Sequence, residues 1–191
     1  MVYRMNDGTR EVRGPLMLRD TGRVYVEFRP DLDYETIRGQ AGVPALVTRG
    51  IFRGFSLPVY DTDFQELYCN ICVPGRWDGS SNIFLHLDCW LPDANNAKKF
   101  QMRVAWEHYA PGSVVPATST DEDVETTTGN DAAFMSHQVE FEFAYGDLAA
   151  DDIIQFRIRR IAASIDEIAG AVVVCHLGVV FQRDKMGIAI P

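Results

Sequence analysis

Over residues 83–181 the chain repeats one arrangement: a short run in which apolar and polar side chains alternate, a cluster of turn formers, then another such run. Ile83, Leu85, Leu87, Cys89 and Leu91 interleave with Phe84, His86, Asp88 and Trp90; Phe100, Met102, Val104, Trp106 and His108 interleave with Gln101, Arg103 and Glu107. A period of two places successive side chains on opposite faces of a pleated strand, so each run predicts a strand with a core face and an outer face. The same reasoning predicts strands over 23–28, stopped by Pro30, over 46–60 with a break at Gly50 or Gly54, and over 65–73, 137–145, 153–161 and 171–181. Helical periodicity is confined to one turn over 31–39. Residues 110–133, rich in Thr, Ser, Asp and Gly, read as a long loop. Strands without crossover helices imply an all-β fold: two antiparallel sheets packed face to face as a jelly-roll-like β-sandwich. Residues 23–191 make this single domain, and residues 1–22, aperiodic and punctuated by Gly8, Gly14 and Pro15, make an extended N-terminal arm.

The chain has 191 residues, 47% of them hydrophobic, enough to bury a core without covalent staples. No apolar run is long enough to span a bilayer, and residues 1–13 are polar and Arg-bearing, so neither a membrane partner nor a signal segment is expected. Net charge is −9, unevenly spread. No Lys or Arg lies between Arg103 and Arg157, whereas acids crowd that window, and the first 29 residues carry six arginines. An acidic body repels a phosphate backbone, which argues against nucleic acid as a partner.

Motifs of chemistry are few. Cys69 and Cys72 form a CxxC, but on a strand, positions three apart point to opposite faces and cannot ligate one ion. His86 and Asp88 share a strand face, and His176 lies on a strand that could neighbour it, which makes these three the weak candidates for a divalent ion of cupin type in a sandwich interior. Hydrogen bonding on a half-buried face is the ordinary alternative, and no metal or cofactor is expected. No nucleophile elbow or phosphate-binding loop occurs. Trp77, beside a Gly-Ser turn, is the candidate to stack on a sugar, with plugging the end of the sandwich as its commoner role. Arg157, Arg159 and Arg160 are expected to pair with Glu140 and Glu142 of the preceding strand.

A strand ending in Pro74, Trp77, Asp78, Gly79 and Ser80 is followed by a strand carrying His86, then by Trp106 and Tyr109, then by Arg157, Arg159 and Arg160, and last by His176, Arg183, Asp184 and Gly187. In this order the segment 67–187 resembles a family of tailed-phage virion proteins. The resemblance implies a non-enzymatic structural protein of the bacteriophage, a capsid decoration or auxiliary protein made in the host cytoplasm and carried on the capsid surface. It implies a homo-oligomer, a trimer, that meets the major capsid protein. In that reading the arm supplies the contacts, through Arg10, Arg13, Leu16, Met17 and Leu18. Two alternatives stand beside it: a glycan- or receptor-binding module of a tail or spike, and a cupin-like metalloprotein.

Overall fold

The computed structural model describes residues 44–58, 65–75, 77, 79, 81–144, 146 and 148–183, together with the backbone of four short strands nearer the N-terminus. Among these residues there are fifteen strands and no helix. The early ones are β1 (Val2–Arg4), β2 (Glu11–Arg13), β3 (Val24–Phe28), β4 (Asp33–Tyr34), β5 (Ala45–Arg49), β6 (Phe52–Leu57) and β7 (Glu66–Cys72). They are followed by β8 (Ile83–Leu91), β9 (Asn95–Asn96), β10 (Lys99–Tyr109), β11 (Thr120–Thr127), β12 (Asn130–Asp131), β13 (Met135–Phe143), β14 (Ile153–Ile161) and β15 (Val172–Arg183).

Eight of these strands build the sandwich. One sheet runs β6-β15-β8-β13 and the other β7-β14-β10-β11, with every neighbour antiparallel. Along the chain the first of the eight pairs with the last, the second with the seventh, the third with the sixth and the fourth with the fifth. That is one long antiparallel hairpin rolled up on itself, which is the jelly-roll order. β5 extends the first sheet beyond β6, and β4 extends the second beyond β7. β3 pairs with the later part of β15, past the residues that pair with β6. β1 and β2 pair with each other and, among the described residues, with no sandwich strand.

The alternation in sequence becomes the core. Ile83, Leu85, Leu87, Cys89 and Leu91 of β8 meet Phe100, Met102 and Val104 of β10, Phe141 and Phe143 of β13, and Ile154, Phe156 and Ile158 of β14, all buried. Each such large side chain stabilises the fold by roughly 1.5–3 kcal/mol relative to exposure. In β15 the alternation changes phase: Val172 and Val174 point inward, then Leu177, Val179 and Phe181. The register against β8 shifts between Val174 and His176, and this bulge at Cys175 supplies the extra residue. Without it His176 would follow Val174 into the core. With it His176 lies outside.

Three expectations are corrected. Thr120–Thr127, expected within a long loop, is the edge strand β11, paired with β10 over eight residues. Its polar composition hid it because only Val124 packs against the core, while Asp121, Asp123 and Glu125 lie opposite Ala105, Arg103 and Gln101 on the outer face. Asp33 and Tyr34, expected in a helical turn, form β4 against β7; the rest of 31–39 lies outside the described residues. The arginines of β14 do not meet Glu140 and Glu142, because β13 belongs to the other sheet. Arg157 and Arg159 each stand 3.7 Å from Glu66. Arg160 points inward and donates to the carbonyls of Gly170 (2.6 Å) and Ile168 (3.1 Å) and to Glu167 (3.0 Å), tying down the loop before β15. Burial pulls its pKa below the ordinary arginine value, while Glu167 acts in the opposite sense.

Of the two glycines proposed as the break near residue 50, Gly50 makes the turn, with φ +62°, and Gly54 stays in β6. Gly54 has a different task. The Arg49 guanidinium lies 3.6 Å over the ring of Phe134, at the start of β13, although β5 and β13 are at opposite edges of their sheet. Four strand spacings of about 4.8 Å separate those edges in a flat sheet, further than an arginine reaches. The β5–β6 hairpin therefore folds back across the outer face. Trp90 and Val173, which point away from the core, are buried there. The crossing brings Gly54 so close that a Cβ would stand 2.6 Å from the Val174 carbonyl oxygen and 2.7 Å from Val173 Cγ1.

Replacing Gly54 by Val should accordingly cost about 1–3 kcal/mol, seen as a lower urea midpoint with an unchanged m-value. A variant as stable as the parent would mean that the hairpin does not press on β15. A second expectation concerns β11, fastened to β10 by Arg103 with Asp123 (2.5 and 2.6 Å) and by Lys99 with Glu125 (2.6 Å). Hydrogen bonds from Arg103 hold Asp123 below the usual carboxylate range, and those from Lys99 and Ser164 bring Glu125 down to about 2. A carboxyl depressed in the folded state contributes stability above its unfolded value and loses it as pH falls through the folded value. Between about pH 5 and pH 2, amide protection factors in β11 should therefore fall before those of β8 and β15. A uniform loss across all strands would contradict this.

Candidate functional site

The outer face of the second sheet carries a groove. β10 directs Arg103, Ala105, Glu107 and Tyr109 outward, β14 directs Gln155 and Arg157, and β7 directs Glu66 and Tyr68, each opposite to the core-facing set of its strand. Across the sheet Arg157 stands between Tyr68 and Ala105, and Gln155 stands beside Glu107. Ala105 is the one small side chain among long neighbours. It is 3% exposed and forms part of the lining of a groove of about 320 Å³, with Tyr68, Glu107, Tyr109, Gln155 and Arg157. Val115, Pro116 and Ser119, from the loop between β10 and β11, line it as well.

The walls are braced from behind. Glu66, itself buried, accepts a hydrogen bond of 2.7 Å from the Tyr68 hydroxyl, which sets that ring, and its charge is balanced by Arg157 and Arg159. Gln155 Nε2 donates to the Cys69 carbonyl at 3.0 Å. Arg103 is spent on Asp121 (3.1 Å) and Asp123. Arg157 is different. Its Nε is buried without a hydrogen-bond acceptor, its contact with Glu66 is a charge pair without a hydrogen bond, and its side chain is 35% exposed. Glu107 accepts one hydrogen bond, 3.0 Å from the His108 amide. The groove thus presents a guanidinium donor, a carboxylate acceptor and tyrosine rings. That is the equipment for a ligand with both apolar faces and hydroxyl groups.

The residues singled out from sequence lie elsewhere. Trp77 is 7% exposed, belongs to the core cluster and donates from Nε1 to the Ser81 carbonyl at 3.1 Å, so it plugs the sandwich and offers no face to a sugar. His86, Asp88 and His176 sit on the outer face of the first sheet, not in the interior that a cupin-type site needs. There His176 Nδ1 meets Asp88 Oδ2 at 2.8 Å, while His86 turns to Glu140, also at 2.8 Å. Gln138 donates to the other Asp88 oxygen at 2.9 Å. Of the remaining histidines, His108 is hydrogen-bonded to Asp152 at 3.1 Å, and His137 stands 3.0 Å from Asp131 without a hydrogen bond. Among the described residues no three His, Cys, Asp or Glu side chains converge as a ligand set. Cys69 is buried and Cys72 exposed, on opposite faces of β7 as strand geometry requires. Arg10, Leu16, Met17 and Leu18 lie outside the described residues, and of Arg13 only the backbone, in β2, is described.

No protein-family model matches the chain, and no curated protein matches it. Solved structures do, at low identity. It is similar to the carbohydrate-binding module TmCBM61, solved with β-1,4-galactotriose (9% identity, 81% of this chain and 88% of that one, TM-score 0.40). It is also similar to CBM28, a module specific for non-crystalline cellulose (10% identity, 80% and 87%, TM-score 0.41). A third likeness is to the enzymatically active domain of bacteriophage CBA120 tailspike protein 4, of which it covers 19% (11% identity, 85% of this chain, TM-score 0.34). These are coarse likenesses of shape and say nothing about what this chain binds.

Sequence reading missed the groove. Its one trace is Ala105, a gap in the outward row Gln101, Arg103, Ala105, Glu107 and Tyr109. That gap means something only once β14 and β7 are known to lie alongside. The groove also yields a local expectation. Glu66→Gln should loosen Tyr68 and both arginines and destabilise the protein by about 1–3 kcal/mol, less than for a fully buried pair because Arg157 is partly exposed, measured by chemical denaturation. A change under about 1 kcal/mol would mean that Glu66 does not brace the wall.

Proposed function

We propose that this chain is a non-enzymatic binding module that holds a saccharide in the groove over Ala105. The observation that carries the reading is the convergence of Tyr68, Tyr109, Arg157, Glu107 and Gln155 on one shallow space floored by a small residue. Sugar rings offer apolar C–H faces to tyrosine and hydroxyls to planar polar side chains, and the volume lies near the lower end of the ~300–1,000 Å³ found for small-ligand sites. Of the readings weighed from sequence, the glycan- or receptor-binding module of a tail or spike fits this groove better than capsid decoration, whose expected contact side chains lie outside the described residues.

A direct test screens the protein against neutral saccharides, including β-1,4-galactotriose and non-crystalline cellulose. Ala105→Trp then fills the groove from its floor. Binding should weaken by more than tenfold in a variant whose circular dichroism matches the parent, and undiminished binding would remove the groove from the reading.

The decoration role keeps one favourable observation: β1 and β2 pair with each other, apart from the sandwich strands. If residues 1–22 clasp a neighbouring copy or a capsid, deleting them should leave the sandwich folded while self-association or capsid binding drops at least tenfold, ~1.4 kcal/mol. Equal assembly of the truncated chain in sedimentation would end that role for the arm.

A further inference from the structure

Arg157 and Glu107 line the same groove, yet no ion pair joins them. The donors of Arg157 make no hydrogen bond among the described residues, and Glu107 takes only the His108 amide. Opposite charges left apart in a partly desolvated space attract whatever bridges them, and a hydroxyl group does so as acceptor and donor at once. A carboxylate would accept from Arg157 but be repelled by Glu107. The body around the groove adds to that repulsion, since net charge is −9.

From this we infer that the groove selects neutral, hydroxyl-rich sugars and rejects uronates, with Glu107 as the residue that excludes the acidic ones. The inference rests on the saccharide reading above and adds the class of sugar. Exclusion by a misplaced like charge is a common source of specificity, acting on the competitor and not on the favoured ligand.

The experiment compares matched oligosaccharide pairs by calorimetry at low salt: galacto- against galacturono-, gluco- against glucurono-, and manno- against mannurono-tetramers. At least one neutral member should bind, and its uronate partner should bind at least tenfold more weakly. Glu107→Gln keeps shape and hydrogen-bonding capacity but removes the charge. It should narrow that gap by about tenfold, read as the ratio of the two affinities within each protein, whatever the absolute affinity for the neutral sugar becomes. Raising the salt should narrow the gap in the parent and have little effect in the variant. A parent that binds a uronate as tightly as its neutral partner overturns the inference and leaves the saccharide reading standing, as does a Glu107→Gln protein with an unchanged gap. Binding of neither member of any pair overturns both.

Discussion

The hydrogen-bonded pairing of β15 with strands on both its edges is the constraint on which the rest of this protein depends. Along one edge it carries β8; along the other it carries β6 over its first residues and β3 over its last. It therefore closes the rolled hairpin, first strand against last, and joins β3 to the centre of a sheet. Unpaired backbone groups in such a position cost far more than the modest net gain of each bond, so the pairing is enforced by the burial of the valines between the sheets. The bulge at Cys175 lies on the edge that pairs with β8. It re-phases the inward set from Val174 to Leu177 and turns His176 out toward Asp88.

With one face of each sheet consumed by the core, chemistry is left to the outer faces, and the two differ. The first sheet's outer face is partly roofed by its own β5–β6 hairpin, which crosses it near Trp90 and Val173 and leaves Ile51 (90% exposed) and Phe52 (64%) toward solvent. The two histidines of that face are each matched with a carboxylate, His86 with Glu140 and His176 with Asp88. The second sheet's outer face is charged and open. Its arginines and acids are cross-strand neighbours in alternate rows, and most of them cancel. Arg157, which meets Glu66 at 3.7 Å without a hydrogen bond, and Glu107 are the exceptions, and the missing side chain at Ala105 gives them a space to share.

Architecture was legible in the chain because a half-buried strand has a period and a core has a composition. The strands over 65–73, 83–91, 100–109 and 153–161 could be read from alternation alone, and the opposite facing of Cys69 and Cys72 followed from the same geometry. β11 escaped because its inward side adds a single apolar residue to the core; its order comes from Lys99 and Arg103 on the next strand.

What residues alone determined, then, is which side of each strand meets the core, since that depends on neighbours one and two positions away. Which strands lie side by side depends on the rolling of the whole hairpin, and only the tertiary structure decided it. This is why the arginines of β14 face Glu66 and Asp121 from strands distant in sequence and not the glutamates of the strand before. It is also why Trp77 went to the core while Tyr68, Ala105, Glu107 and Arg157 came together as a groove. A binding surface on a sheet is a property of rows across strands, and a sequence records only columns along them.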